Sequence, residues 1–325
     1  MTDWRPTSGP EAAKRRAGML CRLRAYFDHG SVLEVNTPAL SPSAVTDIHI
    51  ESLTVSSTLT AGRLYLHTSP EFCMKRLLAS GYPDIYSICR VFRDAEVGRC
   101  HQPEFTMVEW YRLGFSLDEI IADTIAAIAA ALDDSTLKGR LVSTEYRNAF
   151  VSACGVDPVE ASISDLVEAA SADAGLRRTL GEERDDWLDL LMTTRVAPSF
   201  AADELTVVKH YPASQAALAR LCPDNSRVAD RFEVFMGAVE LANGYVELTD
   251  AKTQARRIED DQAARTRREI SLRPHDQNLI AALESGLPAC AGVAMGLERL
   301  QMMHDKTDDI HDVIPFPFEV YHERG

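Results

Sequence analysis

Apolar positions recur at helical spacing from residue 11 to 29, with Met19, Leu20, Leu23, Tyr26 and Phe27 on one stripe among basic neighbours, and the run stops at His29-Gly30. This pattern predicts an opening amphipathic helix. Residues 31–35 read as a short strand, which Asn36-Thr37-Pro38 must end because proline donates no ladder bond. Ser69-Pro70-Glu71 starts a second helix: the serine caps, the proline suits the first helical position and the glutamate complements the dipole. That helix ends at Ser80-Gly81. β-Prone runs over 85–93 and 104–111, separated by a polar stretch from Asp94 to Pro103, predict a long-looped antiparallel hairpin.

Residues 117–133 and 162–196 read as helical, the second stretch broken by acidic loops such as Gly181 to Asp186. Strands are predicted over 205–211, 232–236 and 238–248, a charged and solvated helix over 252–269, and a short apolar helix over 278–284. Cys290 to Gly296 is a small-residue strand that runs straight into a helix near Leu297. A leading helix followed by mostly antiparallel strands with interleaved helices is an α+β pattern. The expectation is one domain over 1–325 with a helical insertion at about 160–200.

Composition narrows the classes. A chain of 325 residues with 46% hydrophobic and 26% charged side chains can bury a large core. Its 34 Lys plus Arg against 49 Asp plus Glu give a net charge of −15, which argues against a broad nucleic-acid footprint. Seven scattered cysteines without C-x-x-C spacing indicate neither a disulfide framework nor a zinc site, and suit a reducing compartment. The N-terminus has no apolar signal region, and the apolar run 120–132 is short and carries Asp123. A cytoplasmic protein with no membrane partner is expected.

Three segments look chemical. In Gly292-Val-Ala-Met-Gly-Leu-Glu-Arg299, small residues at 292, 294 and 296 leave one strand face bare for a flat ligand, and Arg299 follows one turn into a helix, where it is suited to meet a phosphate. A strand packed tightly on a helix with a surface arginine fits the same residues. In the hairpin, alternation puts Arg93 opposite Arg90 and Phe92, and Glu109 and Tyr111 on one face. A fixed guanidinium there suits a phosphate and a carboxylate suits an ammonium, although a solvated hairpin carries such charges too. In Glu240-Leu-Ala-Asn-Gly-Tyr-Val-Glu247 the two glutamates are seven positions apart, and a bulge at Asn243-Gly244 is expected to bring them to one face. Such a pair suits Mg²⁺ or a substrate amine, or is simply part of an edge strand.

Together these segments resemble, in order and over the whole chain, the three signature motifs of class II aminoacyl-tRNA synthetases. Glu34-Val-Asn-Thr-Pro38 with the opening helix resembles the dimer-forming first motif, Phe92-Arg93 through His101-Gln-Pro-Glu-Phe105 the second, and 292–299 the third. Thr68-Ser-Pro-Glu71, the run from His101 to Tyr111, Tyr211-Pro-Ala-Ser-Gln215 and Glu240-Leu-Ala-Asn-Gly244 are similar to the lysyl branch, most of all to its stand-alone ligases that modify translation elongation factor P. About 30 residues precede Glu34, so no anticodon-binding domain is expected.

The resemblance implies a class II catalytic fold, a mainly antiparallel sheet of six or seven strands flanked by helices, working as a homodimer. It implies an ATP-dependent, AMP-forming ligase using Mg²⁺, whose amino acid is (R)-β-lysine or lysine and whose acceptor is a lysine of elongation factor P. Arg93 and Arg299 take the catalytic roles. Arg93, Asp94, Ala95, Gln102, Glu240, Leu241, Gly296 and Arg299 would bind ATP, with Glu240 and Glu247 as metal ligands. Ser69, Pro70, Glu71, Tyr111, Glu247 and Ala294 would hold the amino acid. True lysyl synthetases usually carry Ala and Gly where Ser69 and Ala294 stand, a difference that would favour a β-amino acid. The second motif departs from Phe-Arg-x-Glu, reading Phe92-Arg93-Asp94-Ala95 before Glu96, and nothing is transferred to the run after Val313. The alternatives are a truncated lysyl-tRNA synthetase that charges tRNA, a non-catalytic regulatory paralogue, and a member of the asparagine-synthetase-like branch. The acidic charge argues against tRNA.

Overall fold

A computed structural model describes residues 4–58, 60 and 62–318; the end of the run after Val313, residues 319–325, lies outside the described residues. Three short strands, β2 (Leu40–Ser41), β3 (Thr54–Val55) and β4 (Leu64–Leu66), pair with one another, and β9 (Leu221–Cys222) pairs with β10 (Asn225–Ala229). Eight others build the main sheet: β1 (Leu33–Glu34), β5 (Ile85–Phe92), β6 (Glu104–Leu113), β7 (Leu141–Glu145), β8 (Leu205–Lys209), β11 (Arg231–Met236), β12 (Val239–Val246) and β13 (Cys290–Gly296). Their spatial order is β1-β5-β6-β13-β12-β11-β8-β7, antiparallel throughout except for the parallel edge pairs β1 with β5 and β7 with β8.

The sheet thus has eight strands rather than six or seven. The additional strand, β7, is five residues long and mostly exposed, so its sequence carries no burial alternation to announce it.

One face packs on three helices. Helix α1 (Pro10–His29) buries Met19, Leu23 and Phe27, and Phe27 stacks on Tyr86 of β5 with ring centroids 4.3 Å apart. Helix α3 (Leu117–Leu132) opens on a capping box between Ser116 and Glu119 and buries Ile120, Ile121, Ile125 and Ile128. Helix α10 (Leu297–Asp305) follows β13 directly and adds Leu297 and Leu300. Val108, Trp110, Phe232, Val234, Val246, Val293 and Met295 come to this core from the strands.

Two separate hydrophobic packs cover the margins of the opposite face. Helices α2 (Glu71–Ala79) and α9 (Gln277–Gly286) bring Met74, Leu78, Leu279 and Leu283 against Ile85, Tyr111 and Cys290. On the other side, α4 (Tyr146–Cys154), α5 (Ile163–Ala169), α6 (Ala174–Leu180) and α7 (Arg184–Leu191) lie between β7 and β8, and Phe150, Trp187 and Leu188 pack toward Val208 and Phe235. These helices start at Tyr146, earlier than the sequence pattern indicates, and the acidic stretch ends in structure: Asp185 and Asp186 form the first turn of α7. The middle of this face is left to polar side chains.

Helix α8 (Ala251–Arg267) differs from the solvated helix expected of it. Arg265 is fully buried, bonded to the carbonyls of Asp47 and Ser271 and paired with Glu51. A second correction concerns the bulge. Val234 pairs with Ala242 but Phe235 pairs with Glu240, so the additional residue is Leu241, while Asn243 and Gly244 pair regularly with Glu233 and Phe232. Gly244 serves close packing instead: a Cβ there would lie 2.7 Å from the Phe232 ring and 2.8 Å from the Gly292 carbonyl oxygen.

Candidate active site

The floor of the polar strip is β13, whose small residues alternate with core residues. Gly292 pairs with Tyr111 on β6 and Tyr245 on β12, and Ala294 pairs with Glu109 and Asn243. A Cβ at Gly292 would come within 2.5 Å of both Glu247 Oε1 and Tyr111 Cε1. Only glycine lets those two side chains meet above the strand.

At one end lies a buried pocket of carboxylates. Glu109 accepts hydrogen bonds from the Ser69 hydroxyl at 2.7 Å and from the Tyr111 hydroxyl at 2.8 Å. Glu71, in the first turn of α2, accepts from Tyr245 at 2.7 Å and from Lys75 at 2.6 Å. Lys75 also lies 2.5 Å from Glu247 Oε2, a close ion pair without hydrogen-bonding alignment. Burial pushes the Glu109 carboxyl up to about 8, with the Glu71 charge adding to it, and burial likewise raises Glu247 to about 8 against the pull of Lys75. Lys75 is held charged, because its two carboxylate partners outweigh burial. Pro70 sits at the N-cap of α2; Ser69, one residue earlier than a cap, accepts the Glu71 N–H at 3.0 Å. A cleft lined by Pro38, Ser69, Pro70, Glu71 and Leu218 opens beside this pocket.

The other end is lined by two arginines. Arg299 donates to the Glu240 carbonyl at 3.1 Å and its carboxylate at 3.3 Å, to the Cys100 carbonyl at 3.2 Å, and lies 2.7 Å from His101 Nε2. Burial and the Arg299 charge lower the His101 pKa, which keeps that ring neutral beside the guanidinium. Arg93 lies over the Phe105 ring and 3.6 Å from Glu96, and its buried Nε has no hydrogen-bond partner. Asp94 turns the hairpin loop, accepting the N–H of Ala95, which adopts φ 63°. Gln102 is buried, with Oε1 accepting the Phe318 N–H at 2.6 Å and Nε2 unpartnered. Gly296 ends β13 at the N-cap of α10. Leu241 departs from its expected place: the bulge turns its side chain into the core under the opposite face, where it packs with Val234 and Ala242.

The structure also separates the two residues expected to share a metal. Glu240 stands at the Arg299 end and Glu247 at the Lys75 end, with about six ladder steps of roughly 3.3 Å between them, on the order of 20 Å. A Mg²⁺ ion, with ligands at about 2.1 Å, cannot bridge that span. The carboxylate that does share the charge field of Glu240 is Glu233 on β11, which sequence reasoning passed over as an ordinary strand residue. Burial, then the Glu240 charge, raises Glu233 to about 7, while Arg231 at 2.7 Å opposes the shift. Arg231 in turn reaches Asn243 at 3.3 Å and the Gln215 carbonyl at 2.6 Å. His210, Cys222 and Asp230 also converge, but His210 is held by Glu145 at 2.7 Å and Asp230 by Arg220 at 2.8 Å, so that group reads as an ion-pair network.

An arginine-lined end and a carboxylate pocket are thus joined by one glycine-floored strand. The family model described as tRNA synthetases class II (D, K and N) matches residues 1–320. The chain belongs to that family. Among curated relatives of this class II chain is a Sodalis glossinidius protein named elongation factor P–(R)-β-lysine ligase, 40% identical over 322 residues and covering 98% of each chain. Proteins of the same name from Vibrio parahaemolyticus and Klebsiella pneumoniae are each 41% identical, covering 98% and 96% of this chain and 99% and 97% of their own. Among the described residues of this synthetase-family chain, no helix is long and apolar enough to cross a membrane.

The sequence missed Lys75 and Glu233 as site members, and it read Glu109 as a carboxylate suited to an ammonium without assigning it to the amino acid. Glu71 and Lys75 at i,i+4 look like a routine surface pair, and only the fold, by bringing Glu247 over α2, buries them. That reading of Glu109 rested on the strand face it shares with Tyr111.

Proposed function

We propose that this class II synthetase-family chain is an AMP-forming ligase that activates (R)-β-lysine with ATP and passes it to the ε-amine of a lysine on elongation factor P. The observation that carries the reading is the pocket of Glu71, Glu109 and Glu247, which offers buried negative charge to an amino acid with two ammonium groups. The full-length similarity to relatives bearing that ligase name supports it.

In the first step a carboxylate oxygen of the amino acid attacks the α-phosphorus of ATP, and pyrophosphate leaves. Arg299 and Arg93 stabilise the charge that develops on the phosphates; Ser69, Glu71, Glu109, Tyr111 and Glu247 hold the ammonium groups, so the carboxylate is presented in line. Asp94, Ala95, Gln102 and Gly296 line the adenine side. Buried Glu233 and part-exposed Glu240 place two carboxylates in one charge field, a pair suited to Mg²⁺, which would neutralise phosphate charge. In the second step the acceptor amine attacks the acyl carbonyl, AMP leaves, and the amine gives up a proton to form the amide. No enzyme nucleophile is required.

A working unit of two chains is part of the proposal: Leu33, 46% exposed on the edge strand β1, offers an apolar sheet edge to a second copy. The test is pyrophosphate exchange with (R)-β-lysine and α-lysine, followed by intact-mass measurement of elongation factor P and acid-precipitable label on tRNA. A mass increase on the protein without tRNA label is expected, consistent with a net charge of −15. Robust tRNA charging with no mass increase would turn the reading toward a tRNA-charging enzyme.

A further inference from the structure

Lys75 stands out because its ammonium, on a side chain only 3% exposed, sits inside a substrate pocket rather than at its rim. Its partners come from several elements. Glu71 shares its helix, Glu247 and the Tyr245 ring approach from β12 and the residue after it, Glu109 and Tyr111 face the cluster from β6, and the Cys290 thiol approaches from β13. Asp276, at the start of α9, pairs with Arg76 instead. A buried lysine is costly unless paired, and a buried carboxylate equally so. The pocket nevertheless holds three carboxylates to one ammonium. Glu109 is served by neutral hydroxyls alone, and both oxygens of Glu247 lack a hydrogen-bonding partner in good geometry.

We propose that Lys75 is a positioning residue that fixes the charge count of the pocket: by bridging Glu71 and Glu247 it leaves two uncompensated carboxylates, matched to a ligand with two ammonium groups. The inference rests on the proposed activation of a diamino acid and deepens it, because specificity then depends on how many ammonium groups a ligand carries and where they sit. Lys75 also sets the spacing between α2 and the end of β12. Its ammonium stands 2.6 Å from one carboxylate and 2.5 Å from the other, so the free oxygens of both stay at fixed separation for the ligand. A ligand with one ammonium would leave a buried carboxylate unpaired, or force it to take a proton.

The experiment uses the full chain and three variants, Lys75→Met, Lys75→Gln and Lys75→Arg, each checked for folding by near-UV circular dichroism. Carboxyl-carbon NMR of ¹³C-glutamate-labelled, ligand-free protein reads the titration of Glu247 and Glu109 directly. Lys75→Met and Lys75→Gln should raise the Glu247 midpoint by about one pH unit or more, and Lys75→Arg should keep it near that of the parent. In pyrophosphate exchange the neutral variants should raise the KM for the diamino acid at least about tenfold, leave the KM for ATP within about twofold, and move the acid limb of kcat/KM upward. An unchanged Glu247 midpoint in a folded neutral variant overturns the proposal. So does an equal rise in both KM values, or an arginine variant that behaves like the methionine one. If the parent exchanges with neither lysine isomer the functional reading fails, while the ligand-free titration still decides the role of Lys75.

Discussion

The Ser69 hydroxyl donates to Glu109 Oε2 at 2.7 Å while its oxygen accepts the Glu71 N–H at 3.0 Å, so one side chain couples the first turn of α2 to the central strand β6. Ala294 lies on the other side of Glu109, directly paired with it across β13 and β6. Ser69 and Ala294, the two amino-acid-site positions read as departing from lysyl synthetases, therefore both adjoin one carboxylate. Added atoms on both sides restrict where an ammonium can meet Glu109.

Replacing Ala294 by glycine is therefore expected to shift preference toward α-lysine. One methyl group in a pocket is worth about 1–3 kcal/mol, roughly 10- to 200-fold in relative kcat/KM. Pyrophosphate exchange with both isomers measures it, and an unchanged ratio would show that another residue selects the isomer.

Removal of the guanidinium in Arg299→Ala should leave the fold intact, because the side chain bonds site groups rather than the core. Loss of one preorganised contact to developing charge costs about 10²–10³ in rate. Exchange within tenfold of the parent contradicts the assignment.

The separation of Glu240 on β12 from Glu247 just past its end is tested by a pair of substitutions. Glu247→Gln should raise the KM for the amino acid by roughly 10- to 100-fold, the value of a buried charge-assisted hydrogen bond, with little change for ATP. Glu240→Gln should instead raise the requirement for Mg²⁺ and ATP. The same response from both variants would mean that the two carboxylates serve one ligand after all.

Acidity and stability are linked through the same pocket. Glu109 and Glu247 titrate near 4.5 in an unfolded chain and near 8 in the folded one, since burial disfavours their charged forms. Between those values the folded state binds more protons than the unfolded state, so ν_U − ν_N is negative and stability falls as pH rises from about 4.5 to 8. A bound diamino acid replaces the protons, so its affinity should rise over pH 6–8 with proton release. Thermal melts with and without (R)-β-lysine, and titration calorimetry in two buffers of different ionisation enthalpy, check both signs. Ligand-free stability that climbs through this window would refute the assignment of raised carboxyls.

Much of this site was legible beforehand, and the reasons for the rest are specific. Glycine and alanine at alternate positions of β13 announced a bare strand face, and Gly292, Ala294 and Gly296 do line it. Parity called for a bulge between Glu240 and Glu247 if both were to share a face, but the bulge falls at Leu241, set by the register of β12 against β11, which no local pattern encodes. Lys75 and Glu233 are hidden for the same reason: an i,i+4 pair and an alternating strand residue look solvated until distant segments close over them. β7 and α4 escaped because a five-residue exposed strand leads directly into a short helix without a turn signal.

With Glu240 on β12 and Glu247 one residue past its end, β12 acts as a ruler. On the proposed reading, the end that would handle phosphate and the end that would grip ammonium are graduated on a single backbone, which cannot stretch by even one methylene without breaking its ladders to β11 and β13. On that reading, the chain length of the amino acid is gauged as strictly as its charge. Shortening the substrate by one carbon, as in ornithine, moves the attacking carboxylate about 1 Å away from phosphorus, a misplacement worth about 10² in rate. Equal exchange with lysine and ornithine would mean that the scale is read elsewhere, and a steep fall would make the strand itself the measure of the substrate.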